Sequence, residues 1–156
     1  MAAVFAIVLA LVALLVVNPS TRTAAASARS ETGIWSVAEL KAALDADEVV
    51  LVDIRSRAEW QETGLAKGAL PISVHERGFS DKLFEVKELA GDRPAALICA
   101  TGGRSATIIQ ALRLRGVADG FVDVSEGMMG SREGKGWIRS GLPLQAFDEA
   151  AKRLPF

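Results

Sequence analysis

Cysteine occurs once in these 156 residues, and histidine once. A lone thiol makes no intramolecular disulfide, which argues against a dithiol oxidoreductase, an internal disulfide relay or a disulfide-stapled exported fold. The single histidine, His75, has no sequence neighbourhood that suggests a metal site, and no metal or organic cofactor is expected. Charge of either sign is not in excess: 18 Lys and Arg stand against 19 Asp and Glu. No basic cluster and no aromatic platform breaks that balance, so a nucleic-acid partner is not expected. Internal repeats are absent. The only biased tract is a short Ala/Ser stretch near the N-terminus.

The one long hydrophobic run also lies there. Ala2 to Val17 is sixteen apolar residues without interruption, closed by Asn18-Pro19-Ser20. A membrane-spanning helix needs about 20 such residues. Ala26-Ser27-Ala28 has the small-x-small form of a signal peptidase site, so residues 1–28 read as an export signal. No Lys or Arg precedes the run and no arginine pair marks the route for folded cargo. An uncleaved membrane anchor is therefore the alternative. Either way the expected location is outside the cytoplasm: periplasmic or secreted, or membrane-anchored with the domain outside, assuming a bacterial source. Residues 29–156 are long enough for one domain with its own core. Loss of Arg22 takes the formal charge from −1 to −2.

Strand and helix signals alternate through the rest. Ser36-Val37-Ala38-Glu39 is a capping-box pattern that opens a helix to about Leu44. Val49–Ile54 reads as a strand, Ala58–Glu62 as a short helix ending near Gly64, and Ala69–Val74 as another strand. Ser80 is placed to cap a helix over Asp81–Leu89. Pro94–Ile98 is apolar without alternation, as a buried parallel strand should be. A last strand is expected at Gly120–Val124 and a terminal helix at Phe147–Arg153. The pattern gives an α/β domain whose parallel sheet is covered by helices on both faces. Trp35, Trp60 and Trp137 read as packing residues.

The cysteine lies at the end of the apolar strand, in Cys99-Ala100-Thr101-Gly102-Gly103-Arg104-Ser105. From Ser105 the apolar residues follow a helical period to a stop at Gly116. A thiol thus leaves a strand, meets a glycine-rich turn and faces the start of a helix. N–H groups of such a turn, with the helix dipole, favour negative charge on a sulfur and on any anion attached to it. Gly102 and Gly103 are expected to supply positive φ or close backbone approach. Ser105 either caps the helix or donates to sulfur, capping being favoured. Asp53, Arg55 and Glu59 read as a structural group, with Glu59 spaced to pair with Arg55.

Cys-x-x-Gly-x-Arg-Ser after a buried strand resembles the active-site loop of the rhodanese sulfurtransferases. Val49-Val50-Leu51-Val52-Asp53-Ile54-Arg55, Glu59-Trp60, Gly64 and Gly68-Ala69-Leu70-Pro71-Ile72 are similar to that family's earlier blocks. Gly127, Trp137 and Gly141-Leu142-Pro143 are similar to its closing block. The resemblance covers roughly residues 34–145 and implies a five-stranded parallel sheet in a rhodanese domain at 29–156. Four residues separate Cys99 from Arg104. That spacing resembles the sulfur-transferring members; related phosphatases have five, in a cradle sized for phosphate.

The resemblance implies sulfur transfer through a Cys99 persulfide. A small-molecule donor, thiosulfate or a persulfide, would give up a sulfane sulfur to Cys99, and cyanide, a thiol or a sulfur-accepting protein would remove it. The N–H groups of Ala100, Thr101, Gly102, Gly103, Arg104 and Ser105 would surround the charged sulfur. Arg104 either binds an anionic donor or pins the loop through carbonyls. The chain departs from the family at Gly64-Leu65-Ala66, where a histidine is usual. It departs again at Ser131–Gly136, an insertion that either carries Arg132 or Lys135 to the site or is a solvated turn. The alternative function is a non-turnover rhodanese-fold module or carrier that docks an extracytoplasmic partner.

Overall fold

Two serine–glutamate pairs start the first two helices by the same device. In a computed structural model, which describes residues 33–156, β1 (Ile34–Trp35) leads directly into Ser36. The Glu39 N–H donates to Ser36 Oγ, and the Ser36 N–H donates back to the Glu39 carboxylate at 2.8 Å, opening α1 (Val37–Asp45). Ser56 and Glu59 repeat the pattern at α2 (Arg57–Thr63). Each box satisfies helix N–H groups that would otherwise lack partners. The expected export signal at residues 1–28 lies outside the described residues. Among those described, no helix is long and apolar enough to cross a membrane.

The main sheet has five parallel strands in the order β1-β6-β5-β2-β4. Its members are β1, β2 (Val50–Asp53), β4 (Leu70–Pro71), β5 (Ala95–Ile98) and β6 (Phe121–Val124). β5 is the middle strand and every one of its side chains is buried, the reason its sequence runs apolar without alternation. β3 (Leu65–Ala66) and β7 (Leu144–Gln145) form a separate antiparallel pair. α3 (Phe79–Ala90) and α4 (Gly103–Leu114) place Leu83, Val86, Ile109 and Leu112 against one face. α1, α5 (Gly136–Arg139) and α6 (Phe147–Ala151) place Leu40, Trp137 and Ala150 against the other. The α/β architecture with helices on both faces is therefore as the sequence implied. Trp35, Trp60 and Trp137 are all in the core.

Several boundaries move for local reasons. Ser80 lies inside α3, whose N-cap is Gly78 at φ +77°. The expected strand Ala69–Val74 narrows to Leu70–Pro71. Its backbone still follows the sheet, with the Ile72 N–H donating to Asp53 and the Val74 N–H to Ile54. α4 starts at Gly103, two residues earlier than the apolar period suggested. α6 ends at Ala151 rather than Arg153.

Candidate active site

Cys99 follows the last residue of the central strand, so its position is set by the sheet. The Ile54 N–H donates to the Ile98 carbonyl at 3.0 Å on one side. On the other, the Met128 and Met129 N–H groups donate to the Cys99 and Ala100 carbonyls, each at 2.8 Å. The chain then turns through Ala100 and Thr101 to Gly102, the N-cap of α4, which has φ +81° and no side-chain cap. The leading N–H groups of α4 thus have neither intrahelical partners nor a capping side chain, the arrangement that favours an anion. Cys99 is fully buried.

The two loop glycines differ. A Cβ on Gly102 would stand 2.0 Å from the Ser125 carbonyl oxygen, and a Cβ on Gly127 would stand 2.6 Å from the Ala100 oxygen. Only glycine fits at either position, because the loop packs directly on the 125–127 backbone. A Cβ on Gly103 meets nothing within 4 Å, and its φ is not positive. The expectation that Gly103 is required by the turn is corrected: it is the first residue of an ordinary helix.

Ser105 and Arg104 also take places that the sequence did not give them. Ser105 is buried in the first turn of α4 and is not its N-cap. Its hydroxyl donates to the Gly102 carbonyl at 3.0 Å, and its oxygen lies 3.6 Å from Cys99 Sγ. The capping role is replaced by contact with the sulfur. Arg104 does not reach the loop carbonyls, and its side chain stays partly exposed. It makes a two-pronged pair with Glu59, Nη1 to Oε2 at 2.9 Å and Nη2 to Oε1 at 2.5 Å. Planar guanidinium and carboxylate match in this way. The Arg104 bond holds the Glu59 carboxyl down at about 2, and Glu59 in turn raises Arg104 further.

The Arg55–Glu59 pairing inferred from spacing does not form. Arg55 turns inward to Asp53, with Nη2 donating to Oδ2 at 2.8 Å and both side chains buried. Its remaining donors meet Thr63 Oγ1 and the Gly64 carbonyl. Asp53 and Arg55 are thus structural, whereas Glu59 joins α2 to the active loop. His75 is exposed on the turn after β4. The Ser131–Gly136 insertion is pinned to the frame: Ser131 Oγ donates to the Ser125 carbonyl at 3.1 Å, and the Glu126 carboxylate accepts from the Gly136 and Val37 N–H groups. Arg132 lines a cavity of about 250 Å3 beside the loop, with Thr101, Gly102, Asp123, Ser125 and Glu133. Lys135 does not line it.

Asp123 was missed by the sequence reading. It is 5% exposed, and its Oδ1 has no hydrogen-bond partner. The available signal was a single charge inside the otherwise apolar strand Phe121-Val122-Asp123-Val124. Among the described residues, no group of three His, Cys, Asp or Glu side chains is arranged to hold a metal.

A buried cysteine at the end of a central parallel strand, heading a loop that caps a helix, is a fold-level constellation with known relatives. Residues 36–133 match the rhodanese-like domain family. The chain belongs to that family. The rhodanese-like domain protein from Staphylococcus aureus is 24% identical at a TM-score of 0.52, the match covering 72% of this chain and 98% of that one. The polysulfide-sulfur transferase homodimer from Wolinella succinogenes is also 24% identical, at a TM-score of 0.51 and coverages of 82% and 89%. The thiosulfate sulfurtransferase from Pseudomonas aeruginosa shares 24% identity at a TM-score of 0.50, over 81% of this chain and 23% of that one. At these identities the likeness is one of fold. No curated protein sequence is significantly similar to the chain. Cys99, Gly102 and Arg104 all fall within the matched residues.

Proposed function

We propose that this rhodanese domain is a sulfurtransferase that carries sulfane sulfur as a persulfide on Cys99. The observation that carries the reading is the placement of the chain's only thiol. It stands at the head of a tight loop whose Gly102 packs on the Ser125 carbonyl just beyond β6, against an uncapped helix start. Cys99 thiolate attacks the outer sulfur of a donor such as thiosulfate. A new S–S bond forms from the thiolate pair, and the donor's own S–S bond breaks, its electron pair leaving with sulfite. The persulfide anion that results sits where the loop N–H groups converge. An acceptor nucleophile, cyanide or a thiol, takes the terminal sulfur and returns the thiolate. A sulfur-accepting protein fits the same chemistry.

Arg104 enters this scheme as a brace. Its guanidinium is committed to Glu59, so it fixes the start of α4 relative to α2, and the donor's charge falls to the loop N–H groups. The four-residue spacing between Cys99 and Arg104 resembles that of the family's sulfur-transferring members rather than the longer loop of the related phosphatases. We also read residues 1–28 as an export signal or anchor, which would place the reaction outside the cytoplasm. The test is thiocyanate formation from thiosulfate and cyanide, or from a thiol persulfide and cyanide. Wild type should turn over with at least one donor and Cys99→Ser with neither; activity surviving in Cys99→Ser would refute the reading.

A further inference from the structure

We propose that Asp123 receives, through the Ser105 hydroxyl, the proton that Cys99 gives up when its sulfur becomes charged. This rests on the sulfur-transfer reading and assigns a positioning residue to it. Asp123 pairs in register with Leu97 across the β5–β6 boundary. Cys99 is two residues beyond Leu97, so Asp123 and Cys99 lie on the same face of neighbouring strands. Ser105 faces both from the first turn of α4, 3.6 Å from Sγ and close enough to the carboxyl to favour its charge.

The hydroxyl has one proton and two lone pairs. The Gly102 carbonyl, 3.0 Å away, and the Asp123 carboxylate can each accept that proton. With the proton on either, the oxygen presents a lone pair to Cys99, and the thiol can donate across the 3.6 Å contact. Once the sulfur is an anion, Ser105 must direct a hydroxyl proton at it. Its lone pairs are then free to accept from a protonated Asp123. The step balances: the S–H bond breaks with its electron pair left on sulfur, Ser105 takes that proton, and the hydroxyl's own proton passes to Asp123. One negative charge moves from carboxylate to sulfur, and the buried site never holds two.

The surroundings suit this exchange. Oδ1 has no partner in the protein, so it is open to take a proton. Burial pushes the Asp123 carboxyl above its usual range, opposed by Ser105 and by the positive charge of Arg113 on α4. From the insertion, Arg132 and Glu133 line the same cavity, through which the carboxyl can exchange protons with solvent.

The test is the proton state of Asp123, read from its carboxyl carbon by NMR as pH is raised in the full-length chain. Coupled groups that share one proton titrate in two steps. Wild type should show two, the second arriving when the last shared proton leaves. Cys99→Ser, with no acidic proton to share, should show one. Ser105→Ala should likewise lose the second step, since the bridge is gone. A single step in wild type, or two steps persisting in Ser105→Ala, would overturn the proposal. The titration uses neither donor nor acceptor, so its outcome is independent of whether sulfur is transferred.

Discussion

Glu59→Gln should loosen the start of the active-site helix, and the size of the effect can be worked from the pair it breaks. Glu59 accepts two bonds from Arg104 and one from the Ser56 N–H at 2.8 Å, so one carboxylate closes the α2 capping box and braces α4. Its fall from 4.5 to about 2 corresponds to about 3 kcal/mol at full weight. The two side chains are 30% and 32% exposed, and solvent screening reduces the figure to about 1–2 kcal/mol. For a domain of this size that is a loss of about 3–8 °C in Tm. The pH dependence has a fixed sign. A carboxyl lowered by folding contributes its full stability above 4.5 and loses it as pH falls from there toward 2. The gap between wild type and Glu59→Gln, measured by denaturant unfolding, should hold between pH 5 and 7 and shrink below 4.5. A gap that stayed constant down to pH 2.5, or was absent at pH 7, would refute the reasoning.

Other substitutions separate the roles assigned above. Gly102→Ala should abolish sulfur loading and lower stability, because its Cβ meets the Ser125 carbonyl. Gly103→Ala should leave both within error, and comparison of the two by thermal melts and turnover checks the distinction. Removing one member of the buried Asp53–Arg55 pair, as in Arg55→Met, should cost about 3–5 kcal/mol in denaturant unfolding, since a carboxylate is left buried without its partner. Trp137→Ala should cost about 3–5 kcal/mol. Its ring is fully buried and its Nε1 donates to the Pro143 carbonyl at 2.9 Å.

What the sequence disclosed was mostly local. Ser36 and Glu39 are three residues apart, and the helix start they mark is where capping chemistry puts it. The strand before Cys99 was legible because a central parallel strand is apolar on both faces. The strands β1, β3 and β7 have two residues each, too short for any period to register. Contacts made by the fold were invisible: Glu59 and Arg104 lie 45 residues apart, and spacing alone favoured the nearer Arg55. Gly103 was misread because composition does not say which of two adjacent glycines meets a neighbouring backbone. Asp123 was overlooked because its partner in the site, Ser105, comes from a helix eighteen residues earlier.

The central claim is that Cys99 itself holds the sulfur, and intact mass tests it most directly. The reduced full-length chain would be weighed after exposure to thiosulfate or to a thiol persulfide, then again after cyanide. A gain of one sulfur atom that cyanide removes as thiocyanate, and that Cys99→Ser never acquires, is the predicted result. No gain from either donor, or a gain that persists in Cys99→Ser, would contradict the account.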